Sequence, residues 1–80
     1  MYNAKNLEKY AREYYLMGNE CIIQAHDSRA AIANYDKAIE LNPSYTDAWV
    51  RKGITLHNDK EYYEAEVCLN EAVRLSPALI

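Results

Sequence analysis

The chain repeats itself, and the repeat limits its architecture before any local propensity is weighed. A shift of 34 places aligns Ala31 with Ala65, Ala38 with Ala72, Leu41 with Leu75 and Pro43 with Pro77, while Tyr35 meets Leu69 and Ile39 meets Val73. Earlier in each unit the shift is 35, since Gly18 pairs with Gly53 and Tyr14 with Trp49. One extra residue therefore sits near Ala25-His26-Asp27 in the first unit. A period of this length marks stacked supersecondary units, each too small to bury its apolar face alone.

The spacing inside each unit is helical. Leu7, Ala11, Tyr14, Gly18, Cys21 and Ala25 recur at intervals of four and three, which lays one apolar or small stripe along a helix predicted from Ala4 to Gln24. Asn3 is the expected cap. Asp27 can offer its carboxylate to the open N–H groups of a second helix, Ser28 to Leu41. Asn42-Pro43 ends it, because proline lacks the donor and displaces the residue before it from helical geometry. Ser44, with Asp47 three places on, gives a start signal for a third helix, Tyr45 to Asn58. A fourth is predicted from Glu61 to Leu75, with Glu61 and Glu64 at its positive end and Arg74 at its negative end; Ser76-Pro77 stops it. Gly18, Gly53 and the paired alanines let helix axes approach closely. Tyr35, Ile39, Trp49, Leu56, Leu69 and Val73 are expected to be buried between two such hairpins.

The second unit reads Trp49-x2-Lys52-Gly53-x2-Leu56, Ala65-x3-Leu69-x2-Ala72, Pro77, and the first Tyr14-x2-Met17-Gly18-x2-Cys21, Ala31-x3-Tyr35-x2-Ala38, Pro43. This order resembles the tetratricopeptide repeat pattern of W-x2-L-G-x2-Y, A-x3-F and P. Lys52 departs from the usual Leu, Ser28 stands where an aromatic is common, and neither inter-helix turn keeps its usual Gly. The resemblance implies an all-α fold, a right-handed superhelix of two helical hairpins. Residues 1–80 are expected to form a single domain: 1–10 a helical extension, 11–45 the first repeat and 46–80 the second.

Composition narrows the function. Nine Lys plus Arg against twelve Asp plus Glu give a formal charge of -3, and no basic cluster offers the counterion-releasing surface that nucleic acid binding uses. No apolar run approaches the ~20 residues of a membrane span, and the opening residues lack a secretory signal's apolar segment. The cytoplasm is the expected compartment. Cys21 and Cys68 form no Cys-x-x-Cys pair, and with His26 and His57 they match no zinc spacing. They are expected as small core residues, although a disulfide between them stays open. No cofactor or metal is expected, and no G-x-S-x-G, phosphate loop or H-E-x-x-H occurs. The carboxylates Glu13, Glu40, Glu64, Glu66 and Glu71 read as solvated faces. Eight tyrosines stand without a Phe; Tyr14, Tyr35 and Tyr62 fall at packing positions, whereas Tyr10, Tyr15 and Tyr63 are freer to meet a partner.

The resemblance also implies a concave groove lined by the first helix of each hairpin, which receives a protein or peptide partner without catalysis. Carried onto this chain, the groove positions are Tyr15, Asn19, Ile22, Ile23, Val50, Arg51, Ile54, His57 and Asn58. Some family members grip a C-terminal carboxylate with Lys, Asn and Arg side chains. Asn19 and Arg51 resemble two of those positions, but Tyr15 and Asp47 stand where lysines belong and a third hairpin is missing, so tight binding of acidic chaperone tails is not expected.

Two repeats are fewer than usually fold stably. The outer face of the last helix and the tail (Val67, Leu69, Val73, Leu79 and Ile80) are candidates for homo-oligomer contacts. An adaptor is therefore the leading reading, and a self-assembling structural unit the alternative. Helical-repeat RNA binding fits the acidic charge poorly.

Overall fold

The computed structural model describes residues 4–79, with side chains for residues 6–78. Four helices follow in order: α1 (Ala4–Ala25), α2 (Ser28–Leu41), α3 (Thr46–Asn58) and α4 (Tyr62–Leu75), closed by a short 3-10 turn at Pro77–Leu79. No strand occurs among the described residues. α1 packs on α2 and α3 on α4, giving two hairpins, and α2 packs on α3 to stack one on the other. The result is a slab of 38 × 31 × 17 Å.

Small residues set the helix spacing. Ala11, Ala31, Ala38, Ala48 and Ala72 are wholly buried, so backbones meet where larger side chains would hold them apart. Gly18 faces the ring of Tyr35, and Gly53 faces Leu69, its counterpart one repeat later. Leu56, Ala65 and Cys68 form the core of the second hairpin, and Ile32 from α2 and Trp49 from α3 pack against it. The expected burial of Ile39, Trp49, Leu69 and Val73 is only partial, because a molecule of two layers leaves one side of each hairpin to solvent.

Helix ends follow local chemistry. The Asp27 carboxylate accepts from the Ala30 amide at 3.0 Å and opens α2. At the end of α2 the Asn42 amide donates to the Ala38 carbonyl, and at the end of α4 the Ser76 amide donates to that of Ala72. The Trp49 indole donates to the Pro43 carbonyl at 2.9 Å and pins the turn between repeats to α3. α3 begins one residue later than predicted and without the Ser44 cap. Tyr45 is its N-cap and makes no side-chain cap bond, while the Ser44 amide is taken by the Asn42 side chain at 3.2 Å. α4 likewise begins after Glu61, whose side chain caps nothing. The expected cap at Asn3 lies outside the described residues.

The two inter-helix turns turn left-handed without glycine. His26 has φ 51° and Lys60 φ 68°. After α3, the Lys60 amide donates to His57 and that of Glu61 to Leu56, the paired closure in which a left-handed residue satisfies the last carbonyls. After α1 the equivalent bond runs from Asp27 to Cys21. It spans six residues where Glu61 to Leu56 spans five, and this wider loop absorbs the extra residue of the first repeat. α1 consequently reaches Ala25, which is exposed rather than part of the buried stripe.

Candidate functional site

α1 and α3, the leading helices of the two hairpins, flank a groove of about 370 Å³ floored by Tyr35 from α2. Helical spacing brings Asn19, Ile22 and Ile23 from one side and Arg51, Ile54, Thr55 and Asn58 from the other. His26 and Ser28 reach it from the turn between α1 and α2.

One end of the groove is polar. Tyr35 is 1% exposed, and its hydroxyl donates to Asn19 Oδ1 at 2.6 Å. That bond occupies the amide oxygen of Asn19 and leaves its NH2 group as a donor. Burial raises the Tyr35 pKa; the positive charge of Arg51 opposes this, and Tyr15 and Cys21 add smaller upward contributions. Arg51 is exposed, and its pKa is raised first by a hydrogen bond with the Tyr15 phenol. Tyr15 is itself clasped between aromatic rings, its centroid 6.0 Å from that of Tyr35 and 5.2 Å from that of Tyr45. Burial likewise raises the pKa of Tyr45.

The other end is aliphatic. Ile23 is 69% exposed and Ile54 45%, with Ile22 half-buried beside them. Thr55 is buried, and its hydroxyl is spent on the Arg51 carbonyl at 2.8 Å. Aliphatic groups this exposed on a groove wall lose hydration when something covers them.

Six of the positions predicted for the groove line it: Asn19, Ile22, Ile23, Arg51, Ile54 and Asn58. Tyr15, Val50 and His57 do not. Tyr15 is half-buried in its ring stack between Tyr35 and Tyr45 rather than standing free. The ring of His57 packs edge-on against Tyr62 at 5.0 Å, at the junction with α4. Tyr35, Thr55, His26 and Ser28 were not foreseen. Tyr35 reads as core, and only its hydroxyl betrays a second role. The positions of His26 and Ser28 depend on the left-handed turn.

Of the self-association candidates, Val67 is exposed, Leu69 points into its own hairpin toward Gly53, and Val73 is half-buried. The side chain of Leu79, and Ile80, lie outside the described residues. Tyr62, placed by sequence at a packing position, is 56% exposed, and its neighbour Tyr63 is 81% exposed. Both cysteines are free thiols; burial raises the pKa of Cys68, and Cys21 accepts a weak contact from the Asn34 amide. No group of three metal-ligating side chains occurs among the described residues, and none of their helices is long and apolar enough to cross a membrane.

Comparison with known proteins bears on the same geometry. Two models described as tetratricopeptide repeat match the chain, one at residues 11–45 and the other at residues 34–67. An uncharacterized protein of Methanocaldococcus jannaschii is 38% identical over 66 residues, a span that covers 82% of this chain and 71% of the relative. No solved structure gives a significant match.

Proposed function

The chain belongs to the tetratricopeptide repeat family, and from that membership we propose that it is a non-catalytic protein-interaction module that holds a partner peptide or helix in the groove between α1 and α3. The observation that carries this reading is the pairing of exposed Ile23 and Ile54 with the anchored Asn19 and the exposed Arg51 on one concave surface. Aliphatic area supplies affinity, and oriented donors fix the direction of a bound chain. The Tyr35 hydroxyl holds Asn19 Oδ1 from within the fold, so this donor is set before a partner arrives and less ordering entropy is lost on binding.

Native affinity capture with the full chain, run beside Ile54→Asp, tests the proposal. The side chain of Ile54 is exposed, so the variant keeps its fold while a charge enters the groove. Loss of the captured partner with Ile54→Asp is the expected result. A partner retained equally by both would move the working surface elsewhere.

The exposure of Tyr62, Tyr63 and Val67 on α4 favours a second reading, in which copies of the chain associate through that helix. Sedimentation at micromolar concentration decides it: a 9.3 kDa species alone removes the idea, and a larger species that Val67→Lys disperses supports it.

A further inference from the structure

The groove differs in charge from the protein around it. Acidic residues outnumber basic ones by twelve to nine, yet no Asp or Glu stands among the residues lining the groove. Its fixed charge comes from Arg51. Lys37, Lys52 and Arg74 are each held by a carboxylate, from Glu40, Asp36 and Glu71. Arg51 makes no ion pair among the described residues. Tyr15 is the leading cause of its raised pKa, ahead of any carboxylate. Asp47, one turn back on α3, acts on Arg51 only through space and is the least of the influences on it.

Resting on the groove reading above, we propose that the occupant is a peptide segment carrying one acidic side chain near one aliphatic side chain. Arg51 binds the carboxylate, and Ile22, Ile23 and Ile54 receive the aliphatic group. The Asn19 NH2 group, freed by the Tyr35 hydroxyl, donates to the same carboxylate or to the peptide backbone beside it. A single guanidinium with Asp47 behind it balances one carboxylate, and a second would find no cation on the groove wall. This points to an acidic side chain within a segment rather than to an acidic residue at a C-terminus, which brings two carboxylates.

Spacing follows from helix geometry. Ile54 lies three residues beyond Arg51 and Ile22 three beyond Asn19, a rise of ~4.5 Å on each helix. A helical segment meets this with its acidic and aliphatic residues three apart. An extended one meets it with residues two apart, which share a face and lie ~6.6 Å from one another.

An array of C-terminally amidated peptides tests the proposal with the full chain as probe. Each peptide carries Glu, Gln or Lys at one position and Leu or Ser two or three places on. Glu with Leu is expected to bind at least about tenfold more tightly than Gln with Leu or Glu with Ser, the discrimination of one charge-assisted contact. Arg51→Glu should transfer the preference to Lys, and Ile54→Asp should abolish retention; melting curves of both variants establish that they are folded. Equal binding of Glu and Gln peptides, or a Glu preference that survives Arg51→Glu, overturns this inference. In that case, retention still lost with Ile54→Asp leaves the groove reading standing. Glu with Ser binding as well as Glu with Leu reduces the site to bare charge attraction and overturns the inference too. Absence of any retained peptide overturns both.

Discussion

Gly18 and Tyr35 touch so closely that a Cβ built on the glycine would stand 2.5 Å from Tyr35 Cε1. The ring cannot retreat, because Tyr35 is buried and its hydroxyl is tied to Asn19. Gly18→Ala therefore gains the better helix propensity of alanine but forces the α1–α2 pair apart, for a net loss of about 1–2 kcal/mol. At Gly53 the new methyl group meets Leu69 Cγ at 2.7 Å and the Ala65 carbonyl oxygen at 3.3 Å, yet Leu69 is only half-buried and can swing about its Cα–Cβ bond toward solvent. Chemical denaturation of the two alanine variants should show Gly18→Ala as the more destabilised. The reverse order would mean that the Tyr35 ring is not held as described.

Tyr35 also gives the fold a pH dependence at the alkaline limit. Its hydroxyl must stay protonated to donate to Asn19, and burial raises its pKa in the folded state. A group whose folded pKa is raised contributes stability that is complete below the unfolded pKa, about 10 for tyrosine, and is lost as pH climbs through the folded value. Melting temperature should therefore fall above pH 10. Tyr35→Phe gives up the hydrogen bond, about 0.5–1.5 kcal/mol at neutral pH, and in return should flatten the alkaline decline. A decline equally steep in Tyr35→Phe would assign it to other groups, Tyr45 and Cys68 first.

Lys60 occupies a backbone conformation that suits glycine. At φ 68° its Cβ crowds the backbone, a cost of about 1 kcal/mol that Lys60→Gly removes. In a chain of this length that gain corresponds to a rise in melting temperature of about 4–8 °C. Lys60→Val, β-branched at the same φ, should melt below the parent. His26 shares the geometry, but it also lines the groove, so Lys60 is the cleaner site for the measurement.

How far the sequence reaches can be traced through particular residues. Asp27 and Pro43 announce the bounds of α2 because a short carboxylate and a missing N–H act on the adjoining backbone alone. The beginning of α3 is less legible, since Asn42 takes the Ser44 amide and Tyr45 joins the ring stack over Tyr15. Left-handed turns at His26 and Lys60 carry no glycine to advertise them. In the groove, Asn19, Arg51 and Ile54 follow from the family resemblance, which implies that the first helix of each hairpin lines the concave face. Tyr15 and His57 have the right period, but tertiary contacts with Tyr45 and Tyr62 claim their rings. The part played by Tyr35 shows only when its hydroxyl is seen to emerge beside Asn19.

Lys52 is the position where the second repeat departs from the family pattern, and its ammonium lies 2.6 Å from Asp36 Oδ1, across the junction of α3 with α2. The two repeats are thus joined by a charge pair where the family usually places an aliphatic contact. Lys52 is mostly covered and Asp36 about half exposed, so solvent screens the pair and its net worth is at most about 1 kcal/mol. A double-mutant cycle with Lys52→Met and Asp36→Asn should give a coupling energy of about 0.5–1 kcal/mol that shrinks as salt is raised. Lys52→Leu, restoring the usual residue, should leave stability within about 1 kcal/mol of the parent, because aliphatic burial against α2 offsets the lost charge contact. Coupling of several kcal/mol would mean that the pair is desolvated and that α2 and α3 pack more tightly than the exposure of Asp36 implies. No coupling at all would leave the Tyr35 platform and the contact of Ile32 with the second core as what sets the stacking of the repeats.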